Sequence, residues 1–358
     1  MPHPIRRRLI AAAPALLLAG CKGSAIAAPP GPLPPLKQVA PFPLGVCAMT
    51  GRFSDPDFVR LLTANASQLT PEWEMKMEAI LQDDGRFDYT RPDAVADFAA
   101  QHGLRLHGHT LIWHAQSPKA FERIDGAGQP FADAYRTYIL AVAGRYRGRV
   151  VGWDVVNEAV AEDGNGYREC LWRKNLGMDY AARAFHHARE ADPTVPLFLN
   201  DYNLESNPAK RASFMRLAES LLKAGAPLGG LGTQTHLAFD QPPGAIRAAI
   251  REMASLGLPI HVSELDVSTR GEGMRGKLDM TPMPERLAKQ ARLVGEAAEA
   301  FTALPAHQRY AFTVWGLRDK DSWLRHKPDG ADDRPLLFDD AGRPKPAARA
   351  LVEAVSRG

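Results

Sequence analysis

Short apolar runs rich in β-branched and aromatic residues alternate with longer segments of helical period along most of the chain. This alternation predicts repeated βα units whose strands run parallel in one sheet. Residues 179–192 and 284–304, rich in Ala, Leu, Arg and Glu, predict amphipathic helices between strands. Eight runs are predicted as strands: FPLGVCAM from Phe42, SQLTPE from Ser67, LRLHGHTLI from Leu104, VVGWDVVNE from Val150, VPLFLNDY from Val195, GLGTQTHL from Gly230, PIHVSELDV from Pro259 and RYAFTVWGL from Arg309.

Eight strands with crossover helices indicate one α/β domain, a single (β/α)8 TIM barrel over residues 44–358. A doubly wound open sheet is the alternative fold. Such a sheet places a glycine-rich phosphate fingerprint after its first strand, and the sequence has none there. The barrel is therefore favoured, without a second domain.

Polar side chains lie at or just past the carboxyl ends of these runs. They are Glu72, His109, Asn157 with Glu158, Asn200 with Asp201, Gln234 with His236, Glu264 and Trp315. In a parallel barrel these ends meet on one face, where active sites of this fold are built. The sequence thus predicts a polar site on that face.

Two glutamates stand out because Glu158 closes the fourth run and Glu264 lies in the seventh. Paired carboxylates hydrolyse glycosides, one protonating the leaving oxygen while the other attacks the anomeric carbon or activates water. A rim carboxylate can instead simply pair with Arg or Lys. The aromatic and amide neighbours favour a sugar site: Trp113, Trp315, Trp323, Asn157, Asn200, Asn203 and Gln234.

Two other chemistries are possible at this face. His107, His109 and His114 cluster around the third run, and zinc favours histidine. However, His107 and His109 alternate with period two and no HExxH spacing occurs, so no metal or other cofactor is predicted. Lys76 could form a Schiff base, but the acids beside it favour a charged, hydrogen-bonding lysine.

The composition argues against some classes of protein but does not by itself indicate a function. The chain is 45% hydrophobic and 24% charged with a formal charge of +3, which suits a large core. No long basic run lies beyond the N-terminus, so a nucleic-acid partner is not indicated. Cys47 and Cys170 are expected to be buried thiols, with a single disulfide as the alternative.

The N-terminus predicts export. Residues 1–28 read as a signal segment, with basic residues 6–8 before an apolar stretch too short to span a bilayer. The sequence LAGC, ending at Cys21, resembles a bacterial lipobox, which implies lipidation of Cys21 and anchoring as an outer-membrane or periplasmic lipoprotein. Cleavage after Ala27 would instead release a secreted protein. Residues 29–43 are proline-rich and predict an extended linker.

Seven blocks, in order, resemble glycoside hydrolase family 10, the endo-1,4-β-xylanases. They are TPEWEMKME from Thr70, HGHTLIWHAQSP from His107, WDVVNEAV from Trp153, FLNDYNLE from Phe198, GTQTHL from Gly232, HVSELDV from His261 and TVWGLRDKDSWL from Thr313. The resemblance implies a retaining endo-1,4-β-xylanase that cuts internal bonds of xylan or xylo-oligosaccharides without a cofactor. We expect a monomer.

The resemblance also implies residue roles. Glu158 is the expected acid/base, with a raised pKa, and Glu264 the expected nucleophile, the two carboxyls lying roughly 5 to 5.5 Å apart. His236 is expected to orient Glu264 and Asp266 to hold His236. Asn157 is expected to bind the sugar 2-hydroxyl and Gln234 to set Glu158. The expected substrate-binding residues are Glu72, Lys76, His109, Trp113, Asn200, Trp315 and Trp323.

One position departs from the family pattern. Where the family usually has Asn after the glutamate of its second-strand block, this chain has Trp73, which replaces an amide by a bulky ring with one donor. Trp73 therefore motivates an alternative, a related retaining β-1,4-glycanase with a mixed or glucan preference. An inactive carbohydrate-binding barrel is the alternative outside enzymes.

Overall fold

The computed structural model describes Met1, residues 32–271 and residues 281–357. The chain divides into two compact units, Met1–Pro32 and Leu33–Gly358, and every helix and strand given below belongs to the second. The sequence predictions on residues 6–8, Cys21 and Ala27 lie outside the described residues. Within the described ranges, no helix is both long and apolar enough to span a membrane.

Nine parallel strands form the sheet in the described part of the chain. They are β1 (Leu44–Ala48), β2 (Gln68–Pro71), β3 (Arg105–Trp113), β4 (Gly152–Asn157), β5 (Leu197–Asp201), β6 (Gly230–Thr233), β7 (His236–Ala238), β8 (Ile260–Ser268) and β9 (Arg309–Val314). Each of β1 to β5 pairs with the next strand, β6 pairs with β8, β8 with β9, and β9 returns to β1, while β7 pairs with β8 alone. Eight strands therefore close a barrel, which confirms the predicted (β/α)8 fold.

Helices connect the strands and bury the outer face of the barrel. They are α1 (Leu36–Val39), α2 (Pro56–Asn65), α3 (Met77–Ile80), α4 (Thr90–Gln101), α5 (Lys119–Glu122), α6 (Gln129–Arg145), α7 (Leu171–Leu176), α8 (Tyr180–Ala191), α9 (Pro208–Lys223), α10 (Ala245–Ala254), α11 (Met283–Thr302) and α12 (Pro346–Ser356). Short 3₁₀ turns occur at Thr50–Arg52, Ala306–Gln308, Asp319–Asp321 and Trp323–His326. The helices predicted over residues 179–192 and 284–304 correspond to α8 and α11.

Local signals explain where helices begin. Before α2, the Asp55 side chain accepts hydrogen bonds from the backbone N–H groups of Asp57 and Phe58, and a proline occupies the first turn. Asn207 caps α9 in the same way, again with a proline at the first helical position. Such caps satisfy N–H groups that have no partner inside the helix, and proline fits the first turn without losing a hydrogen bond.

The sixth predicted run is interrupted. It splits into β6 and β7 because Thr235, between them, has a φ of 57° in the left-handed region. After this break β7 pairs with the end of β8, with His236 opposite Asp266. The interruption thus places an imidazole beside the strand that carries Glu264.

The predicted extended linker is not extended throughout. Residues 36–39 form α1, in which Leu36 is buried and its N–H donates to Asn65 Oδ1 at 3.1 Å. Lys37 Nζ donates to the carbonyl of Thr63 at 2.6 Å. These contacts attach α1 to α2, so this part of the proline-rich segment packs on the barrel because Leu36 has a core position to fill.

The two cysteines of the described residues are unpaired thiols. Cys47 is buried in β1 and Cys170 is half-buried before α7. Burial raises the pKa of both thiols. Cys47 and Cys170 therefore pack as small hydrophobes, and the alternative of a disulfide between them is not observed.

The barrel interior contains a polar group, here called the interior cluster: His107, Asp154, His261 and Tyr310. His107, Asp154 and His261 are fully buried, and Tyr310 is half-buried. His107 Nε2 lies 3.2 Å from Asp154 Oδ1, and His107 Nδ1 lies 2.9 Å from the Tyr310 hydroxyl. His261 Nε2 lies 2.8 Å from Thr313 Oγ1. The cluster fills the barrel below the rim, and among the described residues the buried Nδ1 of His261 has no hydrogen-bond partner.

Candidate active site

A cleft of about 850 Å³ opens at the carboxyl ends of the strands. Most residues predicted from the sequence line it: Glu72, Lys76, His109, Trp113, Asn157, Glu158, Gln234, His236, Glu264, Asp266, Trp315 and Trp323. Other lining residues were not singled out from the sequence, namely Met49, Gln116, Tyr202, Leu324 and Lys327. Met49 and Tyr202 directly follow β1 and β5, so the strand-end rule could have found them.

Glu158 sits on strained backbone at the end of β4. Its φ of 58° lies in the left-handed region, which costs a non-glycine residue about 1 to 2 kcal/mol. The conformation is held because the Glu158 N–H donates to the Asn200 carbonyl at 2.8 Å and the Glu158 carbonyl accepts from Arg168 Nε at 3.0 Å. Gln116 and Asn203, beyond β3 and β5, share this conformation. Three residues with left-handed backbone conformation therefore lie at the rim, and their side chains line the cleft.

The Glu158 carboxylate is surrounded by hydrogen-bond donors. His114 Nε2 lies 2.9 Å from Oε2, Gln234 Nε2 donates to Oε1 at 2.9 Å, and Asn157 Nδ2 donates to Oε1 at 3.2 Å. Burial raises the pKa of Glu158, but the hydrogen bonds from His114 and Gln234 outweigh burial and lower the pKa to about 2. The expectation of a raised pKa is wrong for the free protein, because donors on both oxygens stabilise the charged form.

Glu264 lies within β8, and its carboxylate is almost fully buried. Asn200 Nδ2 donates to Oε1 at 2.8 Å, and His236 Nε2 lies 3.4 Å from Oε2. On its other side, His236 Nδ1 lies 2.9 Å from Asp266 Oδ1. We call His236, Glu264 and Asp266 the rim triad.

The rim triad carries a positive charge on its histidine. Burial disfavours that charge, yet Asp266 and then Glu264 raise the pKa of His236 to about 10. His236 is therefore an imidazolium at neutral pH, in contact with Glu264. Trp323 Nε1 donates to Asp266 Oδ2 at 2.8 Å and fixes the outer carboxylate. A cation and an amide donor thus flank Glu264.

Asn200 connects the two glutamates, and its role in the structure differs from the one predicted from the sequence. It was expected to bind substrate, but it is fully buried and does not line the cleft. Its Nδ2 donates to Asn157 Oδ1 at 3.0 Å and to Glu264, while its Oδ1 accepts from Ser263 Oγ at 2.8 Å. Since Asn157 in turn donates to Glu158, two amides link the carboxylates across the cleft. Asn200 positions these groups rather than touching a ligand.

One end of the cleft is formed by the loop after β2. Burial raises the pKa of Glu72 to about 7, against the opposing effect of the Lys76 ammonium. Lys76 Nζ lies 4.7 Å from the centre of the Trp113 ring. Trp73 Nε1 donates to Glu78 Oε1 at 2.6 Å, and the Arg91 guanidinium lies over the Trp73 ring. The single donor of Trp73 is therefore already used within the protein.

The histidines of the third run do not form one metal site. His109 Nδ1 lies 2.8 Å from Asp154 Oδ2, whereas His114 contacts Glu158. In the described ranges, the trio with ligand atoms near one another is His107, Asp154 and His261, which lie within 4.8 Å. This trio belongs to the interior cluster and does not line the cleft. The chemistry available in the cleft is thus that of carboxylates, imidazoles and amides.

A (β/α)8 barrel with two glutamates in one aromatic cleft at its carboxyl face is an arrangement typical of glycoside hydrolases. The model of glycosyl hydrolase family 10 matches residues 36–354, and the chain belongs to this family. The resemblance read from the seven sequence blocks is thereby confirmed.

Known members of the family are similar over most of the chain. An endo-1,4-beta-xylanase of Geobacillus stearothermophilus is 38% identical, over 82% of this chain and 90% of that protein. A mutant of xylanase A from P fluorescens subsp. cellulosa, solved with xylopentaose, matches with a TM-score of 0.81 at 33% identity, over 90% of this chain and 99% of that one.

Some relatives are much longer. A protein named exoglucanase XynX from Acetivibrio thermocellus is 35% identical over 87% of this chain. The chain spans only 27% and 28% of the length of two such curated relatives. The similarity therefore concerns the barrel, and the remaining parts of those proteins have no counterpart in this alignment.

Proposed function

We propose that this protein is a retaining endo-1,4-β-xylanase that hydrolyses internal β-1,4-xylosidic bonds of xylan by double displacement. The observation that carries the proposal is the pair Glu158 and Glu264, which line one cleft of a family 10 barrel and are joined through Asn157 and Asn200. Their surroundings differ, since Glu264 contacts the charged His236 and Glu158 contacts His114 and accepts hydrogen bonds from two amides.

In the first step, a Glu264 oxygen attacks the anomeric carbon. The electron pair of the C1–O bond passes to the leaving oxygen, which takes a proton from Glu158 Oε2. A covalent glycosyl-enzyme forms on Glu264. His236 loses an anionic neighbour in this step, and its contact with Asp266 keeps it in place.

In the second step, Glu158 acts as a base. It accepts a proton from water, whose oxygen attacks the anomeric carbon and releases Glu264 as a carboxylate. Two inversions give net retention. Because Glu158 recovers in this step the proton that it gave up in the first, the cycle consumes one water and no net proton.

The walls of the cleft suit a chain of neutral sugars. Trp113, Trp315 and Trp323 offer apolar faces, while Glu72, Lys76 and Asn157 offer polar contacts to hydroxyls. Support for xylan in particular comes from relatives named endo-1,4-beta-xylanase and from a related structure that holds xylopentaose. Xylan or its oligosaccharides are therefore the substrates we propose.

The direct experiment combines variants with product analysis. Glu264→Gln should lower turnover of xylan about 10⁴-fold or more, since the nucleophile is lost. Glu158→Gln should lower it about 10²- to 10⁴-fold. Glu219→Gln, an exposed change on α9, is the matched control and should be neutral. Near-normal xylan hydrolysis by either cleft variant would overturn the assignment, and binding without release of reducing sugar by the unmodified protein would indicate an inactive barrel.

A related glucan-preferring β-1,4-glycanase is the second candidate. It is favoured by Trp73 at one end of the cleft and by a relative named exoglucanase XynX. Initial rates on xylan and on soluble cellulose at equal mass concentration separate the candidates. A higher rate on cellulose would make glucan the substrate.

We also propose export of the chain, either by cleavage before Cys21 and lipidation of its thiol or by cleavage after Ala27 and release, with the barrel over residues 44–358 as the catalytic domain. The support is the sequence LAGC after an apolar stretch. Labelled palmitate should enter the full chain, and Cys21→Ser should remove the label. A soluble, unlabelled protein beginning after Ala27 would support secretion instead.

A further inference from the structure

The Trp73 side chain is held by two residues that lie behind the cleft wall. Its Nε1–H donates to Glu78 Oε1 at 2.6 Å, and the Arg91 guanidinium lies 4.9 Å from the centre of its ring. Glu78 belongs to the short helix α3 and Arg91 to the first turn of α4, so the contacts come from separate elements. Of these three described residues, only Trp73 lines the cleft. We call Glu78 and Arg91 the Trp73 clamp.

The two contacts of the Trp73 clamp restrain the ring in different directions. The hydrogen bond to Glu78 fixes an edge of the indole, whereas the guanidinium of Arg91 lies against one face. A tryptophan side chain turns about only two χ angles, so restraints on an edge and on a face leave the ring little freedom. The backbone below it is also fixed, because the Trp73 carbonyl accepts from the Lys76 N–H at 2.9 Å. The ring is therefore held in place before a sugar binds.

The surface that Trp73 turns to the cleft is apolar. Arg91 lies over one face of the ring without lining the cleft, so the cleft meets a part of the ring that Arg91 leaves uncovered. An indole has a single hydrogen-bond donor, and Glu78 already uses it. A sugar at this point therefore contacts Trp73 through carbon-bound hydrogens, which suits the C–H face of a pyranose ring rather than its hydroxyls.

The loop that carries Trp73 lies near Glu264. Burial raises the pKa of the preceding residue, Glu72, to about 7, and the Glu264 carboxylate adds to that rise. In a double displacement, the sugar that bonds to the nucleophile belongs to the part of the substrate that the enzyme retains, while the leaving part lies beside the acid. Since the Trp73 side chain contacts its clamp rather than Glu264, it lies beside the retained part, beyond the reacting sugar.

We propose that Glu78 and Arg91 are positioning residues for substrate binding, which hold Trp73 as an aromatic wall for a sugar of the retained part next to the one that reacts. The inference rests on the proposed function and extends it to residues outside the cleft. A side chain that is already ordered loses no rotational freedom when the sugar binds, and this is worth roughly 2- to 10-fold in affinity. The clamp thus strengthens binding of longer substrates without touching them.

The test compares substrates of increasing length in a double-mutant cycle. Glu78→Ala removes the acceptor for Trp73 Nε1, and aryl β-xylosides with one, two or three xylose units extend the retained part stepwise. We expect kcat/KM on the three-unit substrate to fall about 2- to 5-fold, mainly through KM, while the one-unit substrate is unchanged. In the Trp73→Ala background, Glu78→Ala should have no further effect, because no ring is left to hold.

Conservative variants separate positioning from a general structural role. Glu78→Gln keeps an oxygen that accepts from Trp73, so its rates should stay near those of the unmodified protein. Arg91→Ala should resemble Glu78→Ala, and Arg91→Lys should restore most of the loss because it keeps a cation beside the ring. Glu353→Ala, an exposed change on α12, is the matched control and should leave all three substrates unchanged.

Two results would overturn the proposal. Equal slowing of all three substrates by Glu78→Ala, or a loss that persists in full after Trp73→Ala, would make Glu78 a structural residue. A loss on xylan but on none of the aryl xylosides would place Trp73 beside the leaving part of the substrate. An unmodified protein that hydrolyses none of these substrates would instead refute the proposed function.

A binding measurement tests the clamp without turnover. Calorimetric titration with xylotriose is carried out on Glu264→Gln protein, with and without Glu78→Ala. We expect Glu78→Ala to weaken binding about 2- to 5-fold, and Glu353→Ala in the same background to leave it unchanged. Equal affinity with and without Glu78→Ala would overturn the proposal whatever the rates show.

Discussion

Two groups of histidines and carboxylates lie one above the other in the barrel and end in opposite charge states. Asp154 of the interior cluster lies between His107, from the same cluster, and His109, which lines the cleft. In the rim triad, His236 stands between Glu264 and Asp266. In the barrel interior two imidazoles contact one carboxylate, whereas at the rim one imidazole contacts two carboxylates.

The ratio explains the protonation states. Burial opposes charge in both groups. In the interior, His107 and His109 overcome it and hold the pKa of Asp154 well below its usual range, while burial and His107 depress the pKa of His261. At the rim, the two carboxylates raise the pKa of His236 to about 10. The same residue types thus give an anion in the barrel interior and a cation beside Glu264 at the rim, because the number of opposing partners differs.

Removing the interior anion should have the largest effect on stability. Asp154→Asn keeps the shape but removes the buried carboxylate that both His107 and His109 contact, so we expect the free energy of unfolding to fall by about 3 to 5 kcal/mol. Urea denaturation at pH 6 measures it. Asp57→Asn, an exposed aspartate paired with Arg60 on α2, is the control and should change stability by less than about 1 kcal/mol. A similarly small loss for Asp154→Asn would contradict the view that the buried Asp154 carboxylate stabilises the barrel interior.

The charge on His236 of the rim triad should change how the stability of the protein depends on pH. Because folding raises the pKa of His236, its contribution is fully present below the ordinary imidazole pKa and is lost as the pH rises toward about 10. Between pH 6 and 10, we expect His236 to make the free energy of unfolding of the unmodified chain decline by on the order of 2 to 4 kcal/mol. In His236→Asn this part of the decline should be absent. The titration of lysines, tyrosines and cysteines affects the stability of both proteins equally, so it cancels when one stability curve is subtracted from the other. Parallel pH curves for the two proteins would show that His236 is neutral.

The smallest effect is expected at the end of the cleft away from both histidine groups. Trp73→Ala removes a ring that lines the cleft without touching either glutamate, so KM for xylo-oligosaccharides should rise about 2- to 10-fold. Hydrolysis of a short aryl xyloside, which does not reach Trp73, should be unchanged and serves as the control. A drop in kcat on both substrates would place Trp73 in the support of the catalytic groups instead.

Much of this arrangement follows from the sequence. The alternation of strand and helix signals gave eight strands and a closed barrel, and polar residues at strand ends marked the cleft. This works because parallel strands must share an orientation, so local positions along the chain become one face of the barrel. Glu158 and Glu264 were found on that principle before their contacts were known.

The remaining features depend on contacts between distant strands. Nothing local in GLGTQTHL marks Thr235 as the break that gives β7. Asn200 follows the same strand-end rule as Asn157, yet only three-dimensional packing shows that Asn200 is buried as the bridge. The pKa of Glu158 is set by burial and by His114 and Gln234, which come from just past the third run and from the sixth, so it depends on three-dimensional positions.

The most direct measurement on the two carboxylates is identification of the side chain that bonds to sugar. A 2-deoxy-2-fluoroxylobioside with a dinitrophenol leaving group should label the protein, because fluorine slows the second step more than an activated first step. Mass spectrometry of the intact chain should show one added fluoroxylobiosyl group, and peptide mapping should place it on Glu264. A label on Glu158, or hydrolysis of natural substrate with inversion and no adduct, would contradict the double displacement.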